Sequence, residues 1–185
     1  MQQIFVFLCR KCCSVQTVLS NFGKKLINIM KFQGKVISVN ISEKKGIIKQ
    51  PVKQISLCET GIKHDAHAGK WHRQVSLLAV ESITRFEKVL GRNLAYGEFA
   101  ENISTEGLVL HEMTPGDIIK IGNNVVMQVT QIGKKCHGNG CAIFTAAGRC
   151  VMPKEGIFCK VIRNGNITAN DKIIYLPANK TELQQ

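Results

Sequence analysis

What most constrains this chain is a succession of short apolar runs, set apart by glycine, proline or asparagine turns, with a single helical pattern among them. Ile37, Val39 and Ile41 alternate across Lys31-Phe32-Gln33-Gly34-Lys35-Val36-Ile37-Ser38-Val39-Asn40-Ile41, as the inward residues of a half-buried strand do. A turn at Lys44-Lys45-Gly46 leads to a second short strand over residues 52–57. Residues 108–110 and 118–121 form brief β-like runs on either side of Pro115-Gly116-Asp117. Residues 124–132 carry the most regular alternation, with Val125, Met127 and Val129 set against Gln128 and Thr130. Two further strands, residues 156–162 and 172–176, flank the hairpin-type turn Asn164-Gly165-Asn166. From Val75 the pattern turns helical: Val80, Ile83, Phe86 and Leu90 recur at spacings of three and four, and Gly91 stands where a C-terminal cap is expected. Many short strands at close spacing with one helix predict an all-β barrel or sandwich carrying a helical insertion.

With 185 residues the chain is long enough for one domain with a proper core. Residues 1–29 differ in character from the rest, because Cys9, Cys12 and Cys13 stand among scattered polar residues with no sustained period. The expected organisation is therefore an appended N-terminal segment at 1–29, one domain at 30–178 and a C-terminal tail at 179–185. Cys9-x-x-Cys12 has no second pair at zinc-site spacing and no βαβ pattern around it, so it is not read as a site. Eight cysteines would suit a disulfide scaffold in a short secreted chain, but no signal-peptide pattern opens the sequence and no apolar run approaches bilayer length. Reduced thiols in a cytoplasmic protein, with no membrane partner, are the expectation.

The charge is one-sided. Twenty-five basic residues face 13 acidic ones, a formal net of +12, and through Lys70 twelve Lys/Arg face three Asp/Glu, a net of +9. Such a field attracts nucleic acid, a membrane surface or a phosphorylated small molecule. Aromatic content of 6% and the lack of an RNA-binding signature argue against a base-stacking platform, so nucleic acid is not the expected partner.

Two loops concentrate chemistry. Lys134-Lys135-Cys136-His137-Gly138-Asn139-Gly140-Cys141 places a thiol between two lysines and a histidine in a glycine-punctuated loop, directly after the most regular strand. Neighbouring cations favour the thiolate, the form that attacks electrophiles, carries sulfur or binds a soft metal. Cys159, by contrast, alternates with Ile157 and Val161 and reads as core. The second loop, Gly61-Ile62-Lys63-His64-Asp65-Ala66-His67-Ala68-Gly69-Lys70-Trp71-His72-Arg73-Gln74, holds three of the five histidines and the only tryptophan. Polar loops on a rigid scaffold are where binding sites collect.

Three segments resemble, in order and spacing, the MOSC domain, named for the C-terminal domain of molybdenum cofactor sulfurase. They are His64-Asp65-Ala66-His67-Ala68-Gly69 through His72-Arg73-Gln74-Val75-Ser76-Leu77, then Gly97-Glu98-Phe99-Ala100-Glu101-Asn102-Ile103, then the Cys136 loop. The likeness runs from about Lys31 to about Leu176 and includes Val151-Met152-Pro153-Lys154-Glu155-Gly156-Ile157-Phe158, which looks like the tail of small stand-alone members. The resemblance implies a mostly β, barrel-like fold with one substantial helix and short helical insertions. It also implies binding of the molybdenum cofactor or handling of activated sulfur, with Cys136 as catalytic residue and metal ligand.

Cofactor contacts are expected at Lys63, His64, His67, Gly69, Arg73, Gln74, Gly97, Glu98, Asn102, Lys134 and Lys135. Arg73 would anchor a phosphate through its fixed fork of donors, Lys63 would add charge, and Asn102 would offer amide contacts. Gly69 and Gly97 would let the backbone approach closely. His67 and His72 either touch the ligand or tie the loop down through hydrogen bonds. Expected activities are cofactor sulfuration or cofactor-dependent reduction of N-hydroxylated compounds, with a pterin as partner and a separate cysteine desulfurase or redox protein acting alongside. Pyridoxal phosphate is not expected in this chain. Lys134-Lys135 replaces the Arg- and Pro-containing run of many members, and Asn170-Asp171 replaces a usual Gly-Asp. Two other readings stay open: a structural zinc site from Cys136, His137, Cys141 and Cys150, and a basic nucleic-acid-binding module.

Overall fold

The structure, a computed structural model, describes residues 33–135, 144 and 150–178. Its strands are β1 Gln33–Ile41, β2 Gln50–Val52, β3 Gln54–Cys58, β4 Gly61–Ile62, β5 Val75–Ala79, β6 Ile103–Glu106, β7 Ile118–Ile121, β8 Val125–Ile132, β9 Ile157–Arg163, β10 Gly165–Thr168 and β11 Lys172–Leu176. Helix α1 spans Val80–Leu90, helix α2 spans Met152–Glu155, and Leu110–Glu112 makes one 3₁₀ turn. Seven strands close into a barrel in the order β11-β7-β8-β9-β5-β6-β1, with β1 pairing back onto β11. The fold is the mostly β barrel with one substantial helix that the sequence predicts. All barrel pairs are antiparallel except β5 with β6. That parallel pair requires a crossover, and α1 supplies it. Strand β2 lies along the free half of β1, and β10, β3 and β4 form a separate small sheet.

Two apolar clusters result from this topology. Inside the barrel, Val36, Val39, Val75, Leu77, Ile103, Ile119, Ile121, Met127, Val129, Ile157 and Ile173 pack together, joined by Ile55, Leu57, Ile62 and Ile167 of the small sheet. Outside it, Leu78, Ile83, Phe86, Leu94, Phe99, Met152 and Phe158 seat α1 on the wall, with the Phe86 and Phe99 rings edge to face at 5.4 Å. The helix ends at Gly91, whose φ of 66° lets its N–H reach the Glu87 carbonyl.

The structure corrects several sequence expectations. Residues 75–79 are strand, not helix: Val75, Leu77 and Ala79 face the barrel core while Leu78 faces the outer cluster, so the segment is buried on both sides. A strand covered on both faces reads as a continuous apolar run, which periodicity cannot separate from a helix. In β1 a register shift against β6 falls between Val36 and Ser38, so Val36 and Val39 are the core residues while Ile37 and Ile41 stay partly exposed. Residues 52–57 divide between two sheets, β2 pairing with β1 and β3 with β10. The strand placed at 108–110 is instead β6, and Leu110 begins the 3₁₀ turn. Gly165, in turn, does not reverse one barrel strand onto the next but opens β10, which pairs with β3 from Gly165↔Leu57 to Thr168↔Gln54.

Candidate functional site

Loop 63–74 leaves β4 with His64 in the left-handed region, at a φ of 64°. The next residue, Asp65, turns inward and becomes the hub of the region. Its Oδ2 accepts hydrogen bonds from Lys49 Nζ at 2.5 Å, Ser42 N at 3.1 Å and Asn102 Nδ2 at 3.1 Å, while Oδ1 accepts from His67 N at 2.9 Å. The Lys49 and Asp65 side chains are 1% and 0% exposed, so this ion pair lies in the interior and stands only because both ends are hydrogen-bonded. Burial alone would raise the Asp65 carboxyl, but its contacts to His67 and to the Lys49 ammonium outweigh burial and hold it well below the usual carboxylate range. Burial in turn pushes Lys49 down from the ordinary ammonium range, against the pull of Asp65, and the Lys134 ammonium lies near enough to add to that push.

The segment after α1 closes this hub from the other side. Lys49 N donates to the Gly97 carbonyl at 2.9 Å, and Gly97, at a φ of 87°, sits so close that a Cβ there would run into the Lys49 carbonyl. Asn102 is buried and spends its amide inside the protein: Nδ2 donates to the Asn40 carbonyl and Asp65, and Oδ1 accepts from Ser76 N and Oγ. Glu101 is fully buried; burial pushes its carboxyl up even though Gly97 N and Ser104 Oγ donate to Oε1, and Oε2 has no hydrogen-bond partner among the described residues. Loop 63–74 and segment 97–102, far apart in sequence, are thus joined by the Asp65–Asn102 hydrogen bond.

Several expected contact residues have partners within the chain. Buried Gln74 donates through Nε2 to the carbonyls of Glu59 and Gly69 and accepts through Oε1 from Val161 N, tying the loop to β9. Gly69 has an ordinary φ, and a Cβ there would meet Trp71 at a normal 3.5 Å. Glu98 holds Arg92 at 2.5 Å and accepts from Ala95 N. Lys63 is exposed, near enough to Cys58 to favour its thiolate, although the thiol's main downward pull is its hydrogen bond with Thr60. His64 and Lys135 are exposed. Cys136, His137 and Cys141 lie outside the described residues, so the catalytic and metal assignment to Cys136, and most of the zinc alternative, concern residues the structure does not describe. Cys159 is fully buried, and burial drives its thiol far up, as its alternating position predicts.

Arg73 and His72 stand near the end of the same loop and contact Trp71, Phe158 and Gln131 rather than Asp65. The Arg73 guanidinium carbon lies 4.9 Å from the Trp71 ring centre and 5.6 Å from that of Phe158, and its buried Nε has no hydrogen-bond partner among the described residues. His72 Nε2 stands 3.1 Å from Gln131 Oε1, at the end of the strand that leads into the Cys136 loop. Beside them opens a cleft of about 560 Å³, walled by Lys70, Trp71, His72, Gln74 and Lys160. Its size is within the roughly 300–1,000 Å³ of small-molecule pockets. An aromatic wall with two lysines and a histidine, set against the single acid Glu59, suits an aromatic group carrying an anion. No group of three or more His, Cys, Asp or Glu side chains among the described residues gathers as a metal site.

Local sequence does not mark Lys49, Asp65 and Glu101 as site residues. Asp65 at least lies within the His64–Gly69 motif, whereas Lys49, in Ile47-Ile48-Lys49-Gln50, carries no sign that its ammonium is internal.

The closed barrel with a helix on its wall and a polar hub beneath one loop defines a class. The family model described as MOSC domain matches residues 64–174, more than half of the chain, and the chain belongs to that molybdenum-cofactor-associated family. Among solved structures it resembles the YuaD protein from Bacillus subtilis, at 16% identity, 79% of this chain, 97% of that one and a TM-score of 0.67. It also resembles YiiM from Geobacillus stearothermophilus (21% identity, 77% and 75% covered, TM-score 0.61) and YiiM from Escherichia coli (20%, 79% and 70%, TM-score 0.58). At these identities the likeness establishes the fold alone. No curated protein sequence matches the chain.

Proposed function

We propose that this chain binds the molybdenum cofactor, with the Cys136 thiolate as the protein's ligand to the metal and residues of loop 63–74 holding the pterin's anionic end. The observation that carries this reading is the junction of two of the family's separate segments: Asp65 of loop 63–74 accepts from Asn102 of segment 97–102 at 3.1 Å. When bound, the cofactor supplies a metal that changes oxidation state in two-electron steps. The chain supplies a soft thiolate, kept ionised by Lys134 and Lys135, and cations that attract the phosphate. Arg73, stacked on the Trp71 ring that walls the cleft, adds its charge for the same anion. The activity proposed is reduction of N-hydroxylated compounds or sulfuration of the cofactor, the latter with sulfur delivered by a separate cysteine desulfurase and held on the same thiol.

Metal analysis of the purified protein and pterin fluorescence after gentle release test the reading. Molybdenum and pterin should appear together in the parent, and Cys136→Ser should lose the molybdenum while keeping the parent's melting temperature. A serine variant that retains molybdenum and accepts sulfur as the parent does would move the assignment to Cys141. Stoichiometric zinc in place of molybdenum would favour the zinc reading instead.

A further inference from the structure

The buried hub also bears on the state of one expected contact residue, His67. His67 is the only member of the Asp65 cluster that reaches solvent, with its side chain 29% exposed, and its Nδ1 stands 3.3 Å from Lys49 Nζ and 3.4 Å from Asp65 Oδ1. Nδ1 either accepts a hydrogen bond from the ammonium or donates one to the carboxylate, and the surroundings choose between the two. A lysine ammonium has three N–H donors and no acceptor. Within the hub Lys49 has three acceptors: Asp65 Oδ2 at 2.5 Å, Ser42 Oγ at 3.5 Å and His67 Nδ1. Ser42 Oγ spends its own proton on the Lys44 carbonyl, which leaves its lone pairs to the ammonium. If Nδ1 carried a proton, one buried N–H of Lys49 would lose its partner, and unpaired buried donors are costly. Without the ring Asp65 keeps four donors, Lys49, Ser42 N, Asn102 Nδ2 and His67 N, so the 3.4 Å contact between Nδ1 and Oδ1 is the one the cluster gives up.

We infer that Lys49 is a positioning residue that holds the neutral His67 ring as the Nε2–H tautomer, so that loop 63–74 presents a fixed hydrogen-bond donor to an oxyanion, either a phosphate ester or a metal-oxo group. The exposed Lys63 and Lys70 of the same loop add positive charge that favours a negative ligand. The identity of the ligand rests on the proposed function; the tautomer does not.

The test uses the full chain labelled with ¹⁵N-histidine. Long-range proton–nitrogen correlations report which ring nitrogen carries the hydrogen, and His67→Gln assigns the signal. Nε2–H is expected in the free parent and equally in Cys136→Ser, so failure of Cys136 as a metal ligand is read separately from failure here. Lys49→Gln should release Nδ1 and shift the hydrogen onto it, facing Asp65. Titration with molybdate and with inorganic phosphate should move the Nε2 resonance, and whichever acts at the lower concentration identifies the oxyanion. His67→Gln, which keeps an N–H donor, should bind that anion nearly as the parent does, while His67→Met should bind about tenfold more weakly. The inference fails if the free parent shows Nδ1–H, if folded Lys49→Gln leaves the tautomer unchanged, or if neither anion moves the resonance. Because the parent's tautomer needs no variant, the test survives a Lys49→Gln chain that does not fold.

Discussion

At the scale of single residues, Asp65 is the position on which the most depends, since four donors from four parts of the chain end on its carboxylate. Asp65→Asn keeps the shape but leaves the Lys49 ammonium buried without its counter-charge. Breaking one side of a buried pair costs about 3–5 kcal/mol, and urea denaturation at neutral pH should show a loss of that order. The pH dependence has a definite sign. Asp65 titrates below its ordinary 3.8, so its contribution is present above that value and is lost as pH falls toward the folded one. The parent should therefore lose stability on acidification through about pH 4, and Asp65→Asn should show a flatter acid limb over the same range. The cluster of polar residues that marks the loop is legible in the sequence, but the duty of each is not. Gln74 and Asn102 read as ligand contacts because their partners, the backbone of Glu59, Val161 and Asn40, are distant in sequence. A side chain's chemistry is visible in a sequence; the backbone group that will satisfy it from another strand is not.

Among the elements, legibility depends on how many faces are buried. Strand β8 alternates as Val125, Met127 and Val129 because one face meets the core, and it is readable for that reason. Strand β5 meets apolar groups on both faces and reads locally as the start of α1, while the division between β2 and β3 rests on which sheet each joins, a contact that no local pattern encodes. The bulge in β1 shows the same limit, since one extra residue exchanges the inward and outward sets. The link between elements that most directly supports the hub is the turn at Gly97. Gly97→Ala places a methyl group against the Lys49 carbonyl at a left-handed φ, so it combines a clash with a conformational cost of roughly 1–2 kcal/mol. The variant should melt lower than the parent and, in the labelled protein, disturb the His67 signal although residue 97 does not touch the ring.

At the scale of the whole domain, the described residues form a barrel closed by its first and last described strands, with Gln33, Gly34 and Lys35 paired to Ile174, Ile173 and Lys172. Deleting residues 1–29 leaves the described pairings of β1 in place and should preserve a cooperative melt, measured by circular dichroism; a large fall in melting temperature would assign that segment to the core. The same closure has a consequence for synthesis. A ribosome makes β1 early and β11 last, and every strand between them must emerge before β1 meets this neighbour. Until then the start of β1 carries an open edge, and an unpaired edge on a half-made sheet invites pairing with another nascent chain. Closing the ring joins residues at nearly the greatest sequence separation the domain contains, a step slowed by the entropy of the long loop it must gather. Translation would therefore be the most vulnerable interval in this protein's life, with safety arriving only as Lys172 to Ile174 leave the exit tunnel.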